Sequence, residues 1–74
     1  MDTAPERELL KRFGKRMAEI RKSKHVTQQQ LAEAVGLSVV TIAYIETGKR
    51  WVRLKTLDKI ANALEVKIAS MMDF

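Results

Sequence analysis

The sequence predicts an all-α fold, a compact bundle of about five helices. Apolar residues recur at three- and four-residue spacing in successive segments, which is the periodicity of a helix with one buried face. Capping residues and glycines stand where these segments begin and end. The 74 residues are enough for one small domain. We therefore expect residues 1–74 to form a single domain, with residues 1–3 frayed.

Charge and composition narrow the classes of partner. The chain carries a formal net charge of +5 and has a pI near 9.9, which favours an acidic partner such as nucleic acid. A merely basic soluble domain would carry the same charge, so charge alone does not separate the two. Cysteine is absent, so no disulfide or thiolate metal site reinforces the small core, and self-association is a plausible source of stability. We see no signal peptide or membrane-spanning segment and expect a cytoplasmic protein with no membrane partner.

The first predicted helix covers residues 4–23. Thr3 can cap it and Glu6 completes a capping box, while Pro5 lies in the first turn, where its missing N–H does no harm. Lysines and arginines on the other faces predict a solvated surface, with Lys15 and Arg16 as candidates to contact an acidic partner. The apolar stripe that we expect to be buried comprises Leu9, Leu10, Phe13, Met17 and Ile20.

Residues 27–48 predict two short helices joined by a turn, with one side of the second helix facing solvent. Thr27 and Gln30 have the spacing of a capping box. Gly36 stands where helices commonly end in the left-handed region, and Ser38 is a good cap for the second helix. Together these features describe a helix-turn-helix. The side chains expected on its buried faces are those of Leu31, Ala32, Val35, Ile42 and Ile45.

The last third of the chain predicts two more helices, at residues 55–64 and 68–72. We expect Ile68 and Met71 to close the core, and we interpret Trp51 as a lid over the core or as part of a dimer seam. The buried side of the fourth helix is expected to consist of Leu54, Leu57, Ile60, Ala61 and Leu64. Four further apolar side chains are not needed to complete the core of a monomer, and we therefore expect them at a dimer interface. They are those of Trp51, Val52, Met72 and Phe74.

Five strings carry a family resemblance: F-G-K-R-M-x-x-I-R, T-Q-x-x-L-A, G-L-S, T-I-x-x-I-E-x-G-K and L-x-x-I-A-x-A-L. In this order and spacing they resemble the lambda repressor/Cro-like family, also called the XRE family. The resemblance covers residues 10–72. It implies a bundle of about five helices that binds operator DNA as a dimer.

The resemblance also implies roles for individual residues. Arg21 and Glu46 match an arginine–glutamate ion pair that joins the first helix to the third, and a bidentate pair suits that architectural task. Gln28 matches a glutamine that touches a DNA phosphate. His25 replaces the family's glycine, and histidine enters the left-handed region at modest cost; we interpret it as a turn residue and not as a metal ligand.

The family pattern places the outward, DNA-facing positions on the helix that follows Ser38. Relatives usually carry side chains there that pair with base edges, whereas Val39, Val40 and Ala43 offer no hydrogen bonds. Such groups can still contact thymine methyls, and the Tyr44 phenol can reach a base or a phosphate. Lysine and arginine are absent from residues 27–47 and flank them, with Lys49 and Arg50 as phosphate contacts. The predicted DNA-binding residues are Gln28, Ser38, Val39, Val40, Thr41, Ala43, Tyr44, Lys49 and Arg50.

The sequence thus predicts a homodimeric, nucleoid-associated regulator of transcription that binds double-stranded DNA selectively. The alternative is a protein–protein interaction module, such as an antitoxin or adaptor, that offers the outward valines to a toxin or a polymerase subunit. An enzyme is poorly supported, because the chain shows no nucleophile–base pair, no phosphate-cradling glycine loop and no metal ligand set. We expect no cofactor. Phage-type repressors, restriction–modification controllers and antitoxins share this build, and the pattern does not distinguish them.

Overall fold

A computed structural model describes residues 4–73 of the chain. The described residues form helices only, in the order α1 (Ala4–Ser23), α2 (Gln28–Val35), α3 (Val39–Glu46), α4 (Leu54–Ala63) and α5 (Ile68–Met71). The predicted all-α bundle is therefore confirmed, with small shifts at the ends of α4 and α5. The predicted cap Thr3 and the predicted interface residue Phe74 lie outside the described residues. Within the described range, no helix is long and apolar enough to cross a membrane.

Side-chain caps start the two central helices as the sequence predicts. The Thr27 hydroxyl accepts a hydrogen bond from the Gln30 backbone N–H at 3.0 Å. The Thr27 N–H donates to the Gln30 side-chain oxygen at 2.9 Å, which completes the capping box. At α3, the Ser38 hydroxyl accepts from the Thr41 N–H at 3.1 Å. These bonds satisfy N–H groups that have no partner inside a helix.

Each of the four longer helices is followed, within two residues, by a residue with a left-handed backbone. These residues are His25 (φ 59°), Gly36 (φ 73°), Gly48 (φ 76°) and Glu65 (φ 58°). In each case the N–H of the next residue bonds back to a carbonyl five residues earlier, as in Lys49 N–H to Tyr44 O at 2.8 Å. The predicted turn role of His25 is thus confirmed. Glu65 was not predicted, because glutamate carries no signal for this conformation.

The core runs through the centre of the bundle and draws side chains from all five helices. Val52 is also in it, with only 4% of its surface exposed. The sequence assigned Val52 to a dimer interface; that assignment is wrong, because the loop between α3 and α4 turns this side chain inward. The buried apolar residues are Phe13, Met17, Ile20, Leu31, Ala32, Val35, Ile42, Ile45, Val52, Leu57, Ile60, Ala61, Leu64 and Met71.

Two leucines predicted to be buried lie on the surface. Leu9 is half-exposed, because the stripe that contains Phe13 runs through its neighbour Leu10, which is partly buried. Consecutive helical residues lie about 100° apart, so only one of the two can follow that stripe. Leu54 is 75% exposed. It is the first residue of α4, and its side chain has little covering structure at this end of the helix.

A glycine lets α1 and α3 approach each other closely. A Cβ atom added at Gly14 would lie 2.6 Å from the Glu46 carbonyl oxygen and would also collide with the Ile45 carbonyl. Real side chains do not approach backbone atoms so closely, and both carbonyl groups belong to the backbone of α3, which cannot move aside as a flexible side chain can. Gly14 therefore fixes the distance between α1 and α3, and with it the placement of α3 on the body of the protein.

Candidate nucleic-acid interface

The two long sides of α3 lie in different surroundings. Ile42 and Ile45 point into the core and are fully buried. On the opposite side Val39 is 42% exposed and Val40 is 55% exposed, and Tyr44 is exposed to a similar degree. The structure thus presents a mostly apolar helix surface to solvent, at the positions that the sequence assigned to DNA contact. Ala43, which the sequence placed on the same side, is only partly exposed.

An ion pair links α1 to the C-terminal end of α3. Arg21 Nε donates to Glu46 Oε2 at 2.7 Å, and Arg21 Nη2 donates to Glu46 Oε1 at 3.1 Å. Both side chains are buried, with relative exposures of 9% for Arg21 and 5% for Glu46. A third bond, from Arg21 Nη1 to the Val26 carbonyl at 2.8 Å, ties the turn before α2 to the same guanidinium. The planar fork of arginine holds all three groups in fixed relative positions.

Gln28 belongs to this polar junction. Its side-chain amide donates to Glu46 Oε1 at 2.9 Å, so Glu46 receives hydrogen bonds from α1 and from α2. The sequence gave Gln28 a role at a phosphate and did not foresee this bond. This bond uses one of the two hydrogens of the Gln28 amide. The second hydrogen, and the first-turn N–H groups of α2 that Thr27 does not cap, remain as donors to an anion. The junction therefore orients Gln28.

The hydroxyl groups at the start of α3 bond to each other. Ser38 Oγ and Thr41 Oγ1 lie 2.9 Å apart, and Ser38 Oγ also accepts from the Thr41 backbone N–H. These two predicted DNA-binding residues therefore stabilise the first turn of the helix. Thr41 is in addition only partly exposed.

The C-terminal end of α3 carries cations toward its outward side. Gly48 turns the chain so that the Lys49 N–H bonds to the Tyr44 carbonyl, and the Lys49 ammonium lies 5.7 Å from the centroid of the Tyr44 ring. This distance is within the range of a cation–π contact. Arg50 follows and is exposed. The loop thus places the positive charge of Lys49 beside Tyr44, and Arg50 adds an exposed positive charge next to it in the chain.

Two other residues that the sequence singled out have structural contacts. Arg16, a candidate for contact with the partner, donates from Nε to the Ser70 carbonyl at 3.0 Å and so fastens α1 to α5; Lys15 is exposed. The Trp51 ring meets the Phe13 ring edge to face, with centroids 4.9 Å apart. This contact places Trp51 as the predicted lid over the core, with about half of its surface still exposed.

Gly14 has a packing role that the sequence analysis did not assign to it. Its signal was available, since a glycine inside a 20-residue helix is unfavourable unless packing requires it.

Among the described residues, no group of three or more histidine, cysteine, aspartate or glutamate side chains has the geometry to hold a metal ion.

Comparison with known proteins identifies the family of the chain. Residues 17–70 match the helix-turn-helix family HTH_3. The chain belongs to this family, whose XRE-type members are DNA-binding regulators of transcription.

Individual relatives include regulators and controller proteins. The control protein C.BamHI of Bacillus amyloliquefaciens is 38% identical over 63 residues, which cover 84% of this chain and 78% of that protein. The HTH-type transcriptional regulator RghRB of Bacillus subtilis is 38% identical over 61 residues, but this chain spans only 44% of its length. The crystal structure of the restriction-modification controller protein C.AhdI from Aeromonas hydrophila superposes with a TM-score of 0.80 at 33% identity, covering 86% of this chain and 96% of that one.

Proposed function

We propose that this protein binds double-stranded operator DNA as a homodimer and regulates transcription by occupying the operator. The observation that carries this proposal is the geometry of α3. Its inner side is fixed to the body of the protein by the core and by the Arg21–Glu46 ion pair. Its outer side faces solvent, with the Lys49 ammonium beside the Tyr44 ring at the C-terminal end of the helix. A helix held in this way can enter a major groove, which is wide enough to admit it.

The charges around α3 support the same proposal. Residues 27–47 contain no lysine or arginine, whereas Lys49 and Arg50 follow them directly. Phosphate contacts at the edges of the site would set the position of the protein, and α3 would meet the base edges between them. Gln28 and the first turn of α2 provide further donors for a phosphate. The likeness to C.BamHI and C.AhdI is consistent with a regulator of this kind.

The homodimer is the second part of the proposal. A two-fold dimer would present its two recognition helices to successive major-groove faces, roughly 34 Å apart. Met72 is 43% exposed at the end of α5 and is our candidate for the seam, together with the exposed half of Trp51 and with Phe74. Val52 is excluded from the seam, because it is buried within one chain.

Selection from a pool of random DNA duplexes tests the proposal. The protein should enrich a sequence, and the logarithm of its affinity for that duplex should fall linearly with the logarithm of salt concentration, with a slope of about −0.9 per phosphate contacted. Failure to enrich any duplex would overturn operator binding.

Sedimentation of the full chain tests the dimer. Met72→Glu should lower both self-association and operator affinity, while Leu9→Glu, which places the same charge on another half-exposed apolar residue, should change neither. A monomeric mass for the unmodified chain at tens of micromolar, with operator binding intact, would rule out the dimer.

One observation favours a second function. The exposed side of α3 is apolar, and a contiguous apolar surface can also bind another protein. In that case Val39 and Val40 would contact a toxin or a polymerase subunit. Binding through such a surface would depend only weakly on salt, so the salt dependence separates it from DNA binding.

A further inference from the structure

We propose that α3 recognises DNA through the C5 methyl groups of pyrimidines, so that thymine and 5-methylcytosine are equivalent opposite Val39 and Val40. This inference rests on the proposed function, because it requires α3 to lie in the major groove. It specifies which chemical feature of the DNA the outward side of the helix selects.

Two of the exposed side chains on α3 are purely apolar. Val39 and Val40 are adjacent on the outward side and exposed by 42% and 55%. A valine side chain has no hydrogen-bond donor or acceptor. The apolar group that a base pair displays in the major groove is the methyl group at C5 of thymine. A valine in the groove therefore makes binding more favourable when it covers a methyl group. It makes binding less favourable when it covers a polar base edge.

The hydroxyl groups next to the valines, and the Gln28 amide on α2, already make hydrogen bonds within the protein. The hydroxyls of Ser38 and Thr41 bond to each other, and Ser38 also caps the helix. The amide of Gln28 is turned toward Glu46. The Tyr44 hydroxyl remains on the outward side of α3, about one helical turn beyond Val40. Hydrogen-bonding readout next to the two valines is therefore weak.

A consequence follows for cytosine methylation. Thymine and 5-methylcytosine carry the same methyl group at the same position in the major groove, although their base pairs differ in hydrogen-bonding pattern. Side chains that read only the methyl group do not separate the two base pairs. We expect a thymine·adenine pair and a 5-methylcytosine·guanine pair to bind alike, and both to bind better than uracil·adenine or cytosine·guanine. Burial of one methyl group corresponds to about a fourfold change in affinity.

The experiment uses the duplex that the full chain enriches most strongly from the random pool. Each pyrimidine is replaced in turn, so that every position is measured as thymine, uracil, 5-methylcytosine and cytosine with the matching purine opposite. At one position or more in each half-site, affinity should follow the methyl group and not the base pair. The thymine–uracil and 5-methylcytosine–cytosine comparisons each change a methyl group alone, so pairing is held constant within each.

A pair of variants assigns the effect to the protein side. Val40→Ala should reduce the dependence on the methyl group at one position, while Leu9→Ala, which also removes exposed apolar surface but on α1, should leave it unchanged. Both positions are exposed, so both variants should melt near the parent. Equal binding of uracil and thymine at every position of an enriched duplex would overturn the methyl readout alone. Absence of any enriched duplex would overturn the proposed function and this inference together.

Discussion

The two sides of α3 are both apolar, and they differ in what surrounds them. The inward side carries Ile42 and Ile45, which are enclosed by other side chains of the bundle. The outward side carries Val39 and Val40, which remain about half-exposed. Composition does not explain this difference, since valine and isoleucine have similar chemistry. The explanation lies in the neighbours, because α1 and α2 both pack against one side of α3.

This difference separates stability from recognition within one short helix. An enclosed isoleucine contributes to the free energy of folding through the water it excludes and the atoms it contacts. An exposed valine contributes little to the free energy of folding, so folding does not explain why an apolar residue stands at that position. Binding to a partner supplies an explanation.

The largest contrast is expected between truncations on the two sides. Ile45→Ala should lower the free energy of unfolding by about 2–5 kcal/mol, because it leaves a cavity in the core. Val40→Ala should change it by less than about 0.5 kcal/mol. Urea unfolding followed by circular dichroism measures both values. Similar losses for the two variants would show that the outward side is also packed.

The ion pair should rank next. Arg21→Ala should cost about 3 kcal/mol, because it leaves the Glu46 carboxylate buried without its countercharge. The double variant Arg21→Ala/Glu46→Ala should lose less than Arg21→Ala, since no uncompensated charge remains. The same urea unfolding experiment measures this difference.

Arg53→Ala is the control for the ion pair. Arg53 is exposed and makes no side-chain capping bond to α4, so its removal should leave unfolding almost unchanged. An Arg21→Ala melt indistinguishable from that of Arg53→Ala would mean that solvent screens the Arg21–Glu46 pair.

The close approach of α1 and α3 predicts an effect of unusual sign. Replacing glycine by alanine inside a helix ordinarily stabilises the protein by about 1 kcal/mol. At position 14 we expect the reverse, with Gly14→Ala destabilised by about 1–3 kcal/mol, because the new Cβ would collide with the α3 backbone.

Position 34 is the control for the alanine–glycine comparison, because Ala34 is exposed on α2. There Ala34→Gly should lower stability by the ordinary amount of about 1 kcal/mol. Thermal unfolding of the two variants decides the matter. A stabilised Gly14→Ala variant would contradict the tight contact between the helices.

The smallest effect is expected at the edge of the outward side. Lys49→Ala should weaken binding to all DNA sequences nearly equally and flatten the salt slope by about one unit, as loss of a phosphate contact requires. Lys67→Ala removes the same charge just before α5, which packs on α1 and α4, and should leave the slope unchanged. A loss at Lys49 confined to one sequence would mean that this lysine reads a base.

The sequence predicted the helix-turn-helix well because its signals are local. Thr27, Gln30 and Ser38 cap the helices through bonds that span only three residues. His25 and Gly36 adopt the left-handed backbone that their residue types permit. Such features depend on the chain within one or two turns, so a sequence pattern is sufficient to place them.

Signals that depend on distant neighbours were less informative. Leu9 and Leu54 fit the helical periodicity and still lie on the surface, because periodicity does not show where the covering elements end. Val52 shows the opposite error, since the sequence assigned it to a dimer interface and it lies in the core. The bond between Gln28 and Glu46 joins residues 18 positions apart, and neither residue type alone predicts it.

The sequence by itself determined the number and order of the helices, the residues that begin and end them, and, through family resemblance, the pairing of Arg21 with Glu46. The tertiary structure decided how exposed each apolar residue is and which polar groups remain available on the outward side of α3. The physical reason is that capping and turn energies are set by residues adjacent in the chain. Burial is set by whichever elements pack against a side chain, and those elements come from distant parts of the sequence.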